Sequence, residues 1–121
     1  MAAALRRIGC PFRRQQRDLP GTPDFVFAGK RLVVFLDGDF WHGRQWKSRG
    51  HRSLANQFRR VNNREYWIEK ISRNMRRDVR VRRLLNRAGW SVMRLWESEW
   101  KRSPDRCLSR IEARLKNKGK R

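Results

Sequence analysis

Residues 31–42 of this chain read Arg31-Leu32-Val33-Val34-Phe35-Leu36-Asp37-Gly38-Asp39-Phe40-Trp41-His42. The first half of this stretch is an almost continuous apolar run, which predicts a central β-strand covered on both faces. Just upstream, residues 24–27 predict a second strand that begins at a carboxylate, and residues 28–30 provide a tight turn between the two. Antiparallel pairing places the start of one strand beside the end of the other, so Asp24 and Asp37 should lie at one end of the sheet.

The elements around this hairpin predict an α/β fold in which a central mixed sheet is flanked by helices. The chain has 121 residues, the size of a single domain with one modest core, so residues 1–121 should form one domain. The expected elements, in chain order, are a truncated first helix within residues 1–10, a strand at 12–16, the hairpin, a basic loop at 43–62, a helix at 63–88, a strand at 90–96, a helix that starts at Pro104 with Ser103 as its cap, and a basic solvated tail at 116–121.

The charge of the chain predicts its partner. There are 32 Lys and Arg residues against 11 Asp and Glu, for a formal net charge of +21. Arginine dominates the basic set, and its planar guanidinium binds phosphate in a bidentate manner, so a nucleic acid is the expected polyanion. A basic ribosomal or heparin-type binder, or the codon bias of a GC-rich genome, would give a similar composition.

Two further features bear on the cellular compartment. Cys10 and Cys107 lie far apart and lack metal-ligand spacing, which is typical of free thiols in a reducing cytosol. No run of 18 apolar residues occurs, so no membrane association is expected.

The two aspartates of the hairpin predict a metal site. Hard divalent cations prefer oxygen ligands, and Mg²⁺ usually takes one or two carboxylates together with water and substrate phosphate. Asp24 and Asp37 at adjacent strand ends meet that requirement. The alternative is that Asp24 is only a turn residue after Pro23 and that Asp37 only opens a loop.

Polar residues on the long helix extend this site. Trp67, Ile71, Val81 and Leu85 form an apolar stripe at helical spacing, which Leu84 and Ala88 widen. Asn74 and Asp78 continue that stripe, and a buried carboxylate needs a partner. His42 is a suitable one, because a carboxylate on its Nδ1–H raises the basicity of the other ring nitrogen and prepares His42 to take a proton from water. The alternative pairs Asp78 with Arg82 on the same helix.

Aromatic and basic side chains complete the expected DNA surface. Phe40 and Trp41 could belong to the core, or they could wedge between base pairs as apolar side chains do in proteins that kink DNA. The predicted backbone-binding residues are basic side chains of the loop and of the long helix: Arg44, Arg64, Arg73 and Arg77.

Six segments of the sequence occur together in a set order: Leu19-Pro20-Gly21-Thr22-Pro23-Asp24, then Phe35 through His42, Asn63 through Ile71, Asn74, Asp78, and Gly89 through Glu97. In this order they resemble the very short patch repair (Vsr) endonucleases, and the similarity covers roughly residues 5–115. The resemblance implies a restriction-endonuclease-like fold. It also implies an enzyme that nicks DNA beside a T:G mismatch left by deamination of 5-methylcytosine.

The resemblance also implies roles for individual residues. Asp24 would be the main Mg²⁺ ligand, together with the main-chain carbonyl of Leu36. His42 would activate water and Asp78 would orient it. Asn74 would stand nearby in the same network, and Phe40 and Trp41 would intercalate next to the mismatch.

The sequence departs from the family pattern in three places. The family's zinc-ligand positions carry Asp39, Arg44, Trp46 and Ser98, so no zinc is expected. The histidine that usually opens the aromatic segment is Asp37, which could add a metal ligand. A glutamate of the family's first helix would precede Met1. Three explanations are open: the start is misassigned, the protein is a diverged form, or its activity is impaired. Without that glutamate, Glu65 or Asp37 would have to compensate.

Three hypotheses follow from the sequence. The first is a Mg²⁺-dependent DNA endonuclease of very short patch repair. We expect it to act on double-stranded DNA as a monomer, with other mismatch-repair proteins as possible partners, in the bacterial cytoplasm at the nucleoid. The second is a related restriction or mobile-element nuclease. The third is a non-catalytic basic module that binds nucleic acid.

Overall fold

The computed structural model describes residues 1–38 and 63–119, and these residues form a four-stranded mixed sheet with helices on both faces. The strands are β1 (Arg13–Arg14), β2 (Phe25–Phe27), β3 (Leu32–Asp37) and β4 (Ser91–Trp96), in the order β1-β2-β3-β4. β1 and β3 each pair antiparallel with β2, whereas β3 and β4 are parallel. The α/β class and the mixed sheet predicted from the sequence are confirmed.

The helices are α1 (Ala2–Arg6), α2 (Arg64–Arg87), α3 (Glu97–Arg102) and α4 (Pro104–Gly119). α3 was not predicted. The Trp96 main-chain N–H donates to Glu99 Oε1 at 3.3 Å, which caps the first turn of α3. α4 runs to Gly119, so residues 116–119 of the predicted solvated tail are helical, and Lys116 is exposed. None of the described helices is long and apolar enough to cross a membrane.

β3 is buried on both faces, as its apolar run predicts. On one face, Leu32 and Val34 pack with α1 and α4 through Leu5 and Ile111. On the other face, the alternate residues of β3 pack against α2, in a cluster made of Val26, Val33, Phe35, Val81 and Leu85. The result is three layers, with the sheet between α2 and the α1–α4 pair.

α2 packs its apolar stripe against the sheet, and the stripe includes polar residues near the end of the sheet. Ile71, Val81 and Leu85 are buried, as predicted. Asn74 and Asp78 lie between them on the same stripe and are half-buried. The expectation that Leu84 widens the stripe is wrong: its side chain is 47% exposed.

The loop before β2 is fitted closely against α2. Gly21 has φ +76°, a conformation that favours glycine, and a Cβ on it would come within 2.7 Å of Val81 Cγ1. This close approach holds the segment that leads into Asp24 next to the helix that carries Asp78.

Candidate active site

A cleft of about 340 Å³ opens where β3 ends, between the sheet and α2. Its lining comprises Gly21, Thr22, Asp24, Phe35, Leu36, Asp37, Asn74, Arg77, Asp78, Val81 and Arg94. The structure therefore brings together six residues that the sequence singled out: Asp24, Leu36, Asp37, Asn74, Arg77 and Asp78.

Asp24 stands at the entry of β2, beside the end of β3, as antiparallel pairing requires. Its Oδ2 accepts a hydrogen bond from the Leu36 main-chain N–H at 2.7 Å. The residue is half-buried, and within the described part of the chain it makes no ion pair with an arginine. The carboxylate is thus fixed in place and remains open to the cleft.

Asp37 has a different environment. It is 4% exposed, and Arg94 Nη1 contacts its Oδ1 at 3.0 Å and its Oδ2 at 2.9 Å. A carboxylate this deep needs such a partner, because burial of an unpaired charge is costly. Metal binding by Asp37 stays a prediction, and any metal there would compete with Arg94 for the same oxygens.

Asp78 also approaches Arg94. Its Oδ1 lies 3.5 Å from Arg94 Nη1, so one ion pair of Asp78 runs to β4. Asn74 lines the cleft one turn earlier on α2. The contact predicted between Asp78 and His42 involves a residue outside the described ranges and stays a prediction.

Arg94 is the cleft residue that sequence reasoning missed. Its guanidinium carbon lies 4.1 Å from the centre of the Phe35 ring, opposite it in the β3–β4 register. One signal was available: an arginine inside an apolar strand needs a buried anion, and Asp37 ends the adjacent strand.

The cleft differs in charge from the rest of the molecule. Its lining carries three aspartates and two arginines, a formal charge of −1 in a chain of +21. An acidic site in a basic protein favours a cation there and weakens phosphate binding until one is present.

The donor set of the cleft suits Mg²⁺. Within residues 1–38 and 63–119, no group of three or more His, Cys, Asp or Glu side chains could hold a metal. Mg²⁺ does not need such a group, because one carboxylate, a main-chain carbonyl, waters and a substrate phosphate provide enough oxygen ligands. The Asp24 carboxylate and the Leu36 main-chain carbonyl are two such oxygen ligands.

The remaining predicted residues divide into two sets. His42, Phe40, Trp41 and Arg44 lie outside the described ranges. So do Asp39 and Trp46, which stand at two of the family's zinc-ligand positions. On α2, Arg64 is exposed at the first turn, and Arg73 is exposed and pairs with Glu69 at 2.9 Å. Arg77 reaches the cleft wall.

Comparison with known proteins identifies the family of this chain. The family model described as DNA mismatch endonuclease Vsr matches residues 1–48. The type II nicking enzyme V.NmeDIP of Neisseria meningitidis serogroup C is 34% identical over 118 residues, which cover 98% of this chain and 75% of the relative. The chain belongs to the Vsr family. The resemblance seen in the sequence is therefore confirmed.

Two further relatives of this Vsr-family chain have similar levels of identity. The type II nicking enzyme V.XorIIP of Xanthomonas oryzae pv. oryzae is 40% identical over 113 residues, covering 93% of this chain and 74% of the relative. The DNA mismatch endonuclease Vsr of Escherichia coli K12 is 37% identical over 100 residues, covering 80% of this chain and 57% of the relative. The four-stranded mixed sheet with helices on both faces agrees with the restriction-endonuclease-like fold of the family.

Proposed function

We propose that this Vsr-family DNA endonuclease nicks duplex DNA beside T:G mismatches in a Mg²⁺-dependent reaction. One observation carries the proposal: Asp24 is fixed at a strand end by the Leu36 N–H and faces an acidic cleft in a strongly basic protein. Such a site is suited to a cation that brings a DNA phosphate to it.

Asp24 and the main-chain carbonyl of Leu36 would hold the metal. When bound, Mg²⁺ supplies Lewis-acid stabilisation of the charge on the phosphate. The main-chain hydrogen bond at 2.7 Å supports this assignment, because it keeps the Asp24 carboxylate from rotating away from the cleft.

Other residues of the chain would carry the protons. In our proposal His42 takes a proton from the attacking water as its oxygen bonds to phosphorus. One ester P–O bond breaks, and the departing oxygen gains a proton from solvent. Asp78 would orient His42, with Asn74 beside it. The position of Asp78 at the cleft wall supports this role.

DNA would lie across the basic side of α2. Arg64, Arg73 and Arg77 follow the same helix, and Arg44 would add a contact from the preceding segment. Such contacts position the backbone without reading sequence. Phe40 and Trp41 would supply selectivity by wedging beside the mismatch. The monomeric state, further mismatch-repair partners and the bacterial nucleoid location stay predictions.

The test is nicking by Asp24→Ala, with Asp18→Ala as the matched control. Asp18 is an exposed carboxylate six residues earlier and does not line the cleft. We expect Asp24→Ala to lower Mg²⁺-dependent nicking by about 10³-fold or more, because a lost metal ligand removes several kcal/mol of charge stabilisation. DNA binding should keep its affinity and its salt dependence, and Asp18→Ala should nick at the wild-type rate.

Two substrates of one sequence separate the candidate functions. A duplex with one T:G mismatch should be nicked faster than the fully paired duplex. Equal rates would favour a related restriction or mobile-element nuclease. Tight binding without cleavage in either Mg²⁺ or Mn²⁺ would mean a non-catalytic module. Wild-type nicking by Asp24→Ala would refute the assignment of the metal ligand.

A further inference from the structure

We propose that Arg94 binds a non-bridging oxygen of the scissile phosphate and stabilises the negative charge that develops there, with Asp37 as its positioning residue. The inference rests on the proposed nuclease function and names a phosphate contact in the same cleft. Sequence reasoning assigned no role to Arg94, and it stands on β4, 57 residues along the chain from its partner Asp37.

The guanidinium of Arg94 is held from three sides. Both oxygens of Asp37 contact its Nη1, Asp78 Oδ1 lies 3.5 Å from the same atom, and the group stacks on Phe35 at 4.1 Å. A long arginine side chain normally loses rotamer freedom when it binds an anion. Here that freedom is already lost in the folded protein, which is the condition for preorganised charge stabilisation.

The same arrangement leaves part of the guanidinium available. A guanidinium has five N–H donors, and among the described residues the contacts of Arg94 with Asp37 and Asp78 all use Nη1. Nη2 and Nε therefore retain three N–H donors. That number fits one phosphate, which arginine binds through a pair of parallel hydrogen bonds.

The position of Arg94 also fits this role. It lines the cleft that holds Asp24, and its side chain is only 22% exposed. A cation in such a sheltered position interacts with a phosphate more strongly than one on an open surface. A role limited to neutralising Asp37 would need no access to the cleft.

A charge-neutral pair of substitutions separates phosphate binding by Arg94 from simple neutralisation of Asp37. An unchanged Mg²⁺ concentration for half-maximal nicking in this variant separates phosphate binding from metal binding by Asp37. Arg94→Met alone strands a buried carboxylate and would lower stability, which confounds any loss of activity. Asp37→Leu/Arg94→Met removes both charges and replaces them with apolar side chains, an exchange that is often neutral for folding. The net charge of the protein stays at +21 in this variant.

Glu99→Gln/Arg110→Met is the matched control. The Glu99–Arg110 ion pair measures 3.3 Å, lies outside the cleft and is also removed without a change in net charge. Glutamine at position 99 keeps an acceptor for the Trp96 N–H. Thermal unfolding of each variant should confirm that it is folded before its activity is measured.

The main measurement is single-turnover nicking in Mg²⁺. We expect Asp37→Leu/Arg94→Met to lose about 10²–10³-fold in rate, the usual cost of removing one preorganised donor to a developing charge. DNA affinity should fall by no more than about tenfold, the effect of losing one phosphate contact, and the control pair should nick at the wild-type rate. A folded Asp37→Leu/Arg94→Met variant that nicks within about threefold of wild type would reduce Arg94 to a structural counter-ion.

A second readout does not depend on cleavage. With Ca²⁺ in place of Mg²⁺, the slope of log K against log salt should fall by about 0.9 when one phosphate contact is lost. If the wild-type protein nicks no DNA, the slope still decides: an unchanged slope in Asp37→Leu/Arg94→Met would refute the Arg94 contact. A reduced slope in that variant would support the contact while the nuclease proposal itself fails, so the two failures are distinguishable.

Discussion

Gly21→Ala tests whether the close fit between α2 and the loop that precedes Asp24 contributes to the stability of the protein. Gly21 has φ +76°, and an added Cβ would lie 2.7 Å from Val81 Cγ1 and 3.2 Å from Phe35 Cε1. Both neighbours belong to the core between α2 and the sheet and are buried, so neither can move without disturbing that core. The substitution therefore combines backbone strain with overpacking.

The expected cost can be worked from these two terms. A non-glycine residue in the left-handed region costs about 1–2 kcal/mol, and the smaller entropy of the unfolded alanine chain offsets about 0.4–1 kcal/mol of it. Overpacking a filled core adds about 1–3 kcal/mol. We expect Gly21→Ala to lower the free energy of unfolding by about 2–4 kcal/mol, most of it steric.

Gly89→Ala is the matched control. Gly89 has φ +91°, and an added Cβ there meets nothing within 4 Å, so only the backbone term applies. Urea denaturation of both variants should give a loss of about 1 kcal/mol for Gly89→Ala and a larger loss for Gly21→Ala, with unchanged m-values. Equal losses would refute the steric argument.

The same clash should be relieved by shortening its partner. In Gly21→Ala/Val81→Ala the methyl groups that meet the new Cβ are gone, so the two substitutions should cost less together than the sum of their separate costs. Strict additivity would contradict the contact that the structure shows.

Two further predictions concern a thiol and a surface ion pair. Burial, and secondly the charge of Glu99, raise the pKa of the Cys107 thiol above its ordinary 9.0. The neutral thiol should therefore contribute its full stability below pH 9.0 and less as the pH rises further. In urea titrations at alkaline pH, the Cys107→Ala variant should lose less stability than wild type. Arg73 and Glu69 form an exposed pair with both side chains 68% exposed, so Arg73→Ala should change stability by less than about 0.5 kcal/mol while lowering the salt slope of DNA binding by about 0.9.

Sequence reasoning worked where the information is local. The apolar run of β3, the tight turn before it and the stripe of α2 each follow from residues close together in the chain, and the structure has all three. It failed for α3, although the carboxylate that caps this helix, Glu99, lies only three residues after Trp96. It also failed for Leu84, since helical spacing gives the angle of a side chain and not the distance to a neighbouring layer.

The residues of the site also divide into those that local sequence patterns predicted and those that only the tertiary structure brought together. Asp24 and Asp37 could be brought to one end of the sheet from the sequence, because a hairpin with a short turn fixes which residues meet at its open end. Leu36 was named only through the family resemblance. The helical spacing of Asn74 and Asp78 likewise predicted their shared face.

Arg94 belongs to the part that only the tertiary structure decided. Its contact with Asp37 joins residues 57 apart in the chain and depends on the parallel register of β3 and β4, in which Phe35 lies opposite Arg94 and Asp37 opposite Trp96. No short-range pattern encodes that register, because α2 and its flanking segments separate the two strands. The sequence alone determined the strand ends that deliver the carboxylates; packing of α2 and β4 against β3 decided which cation stands beside them.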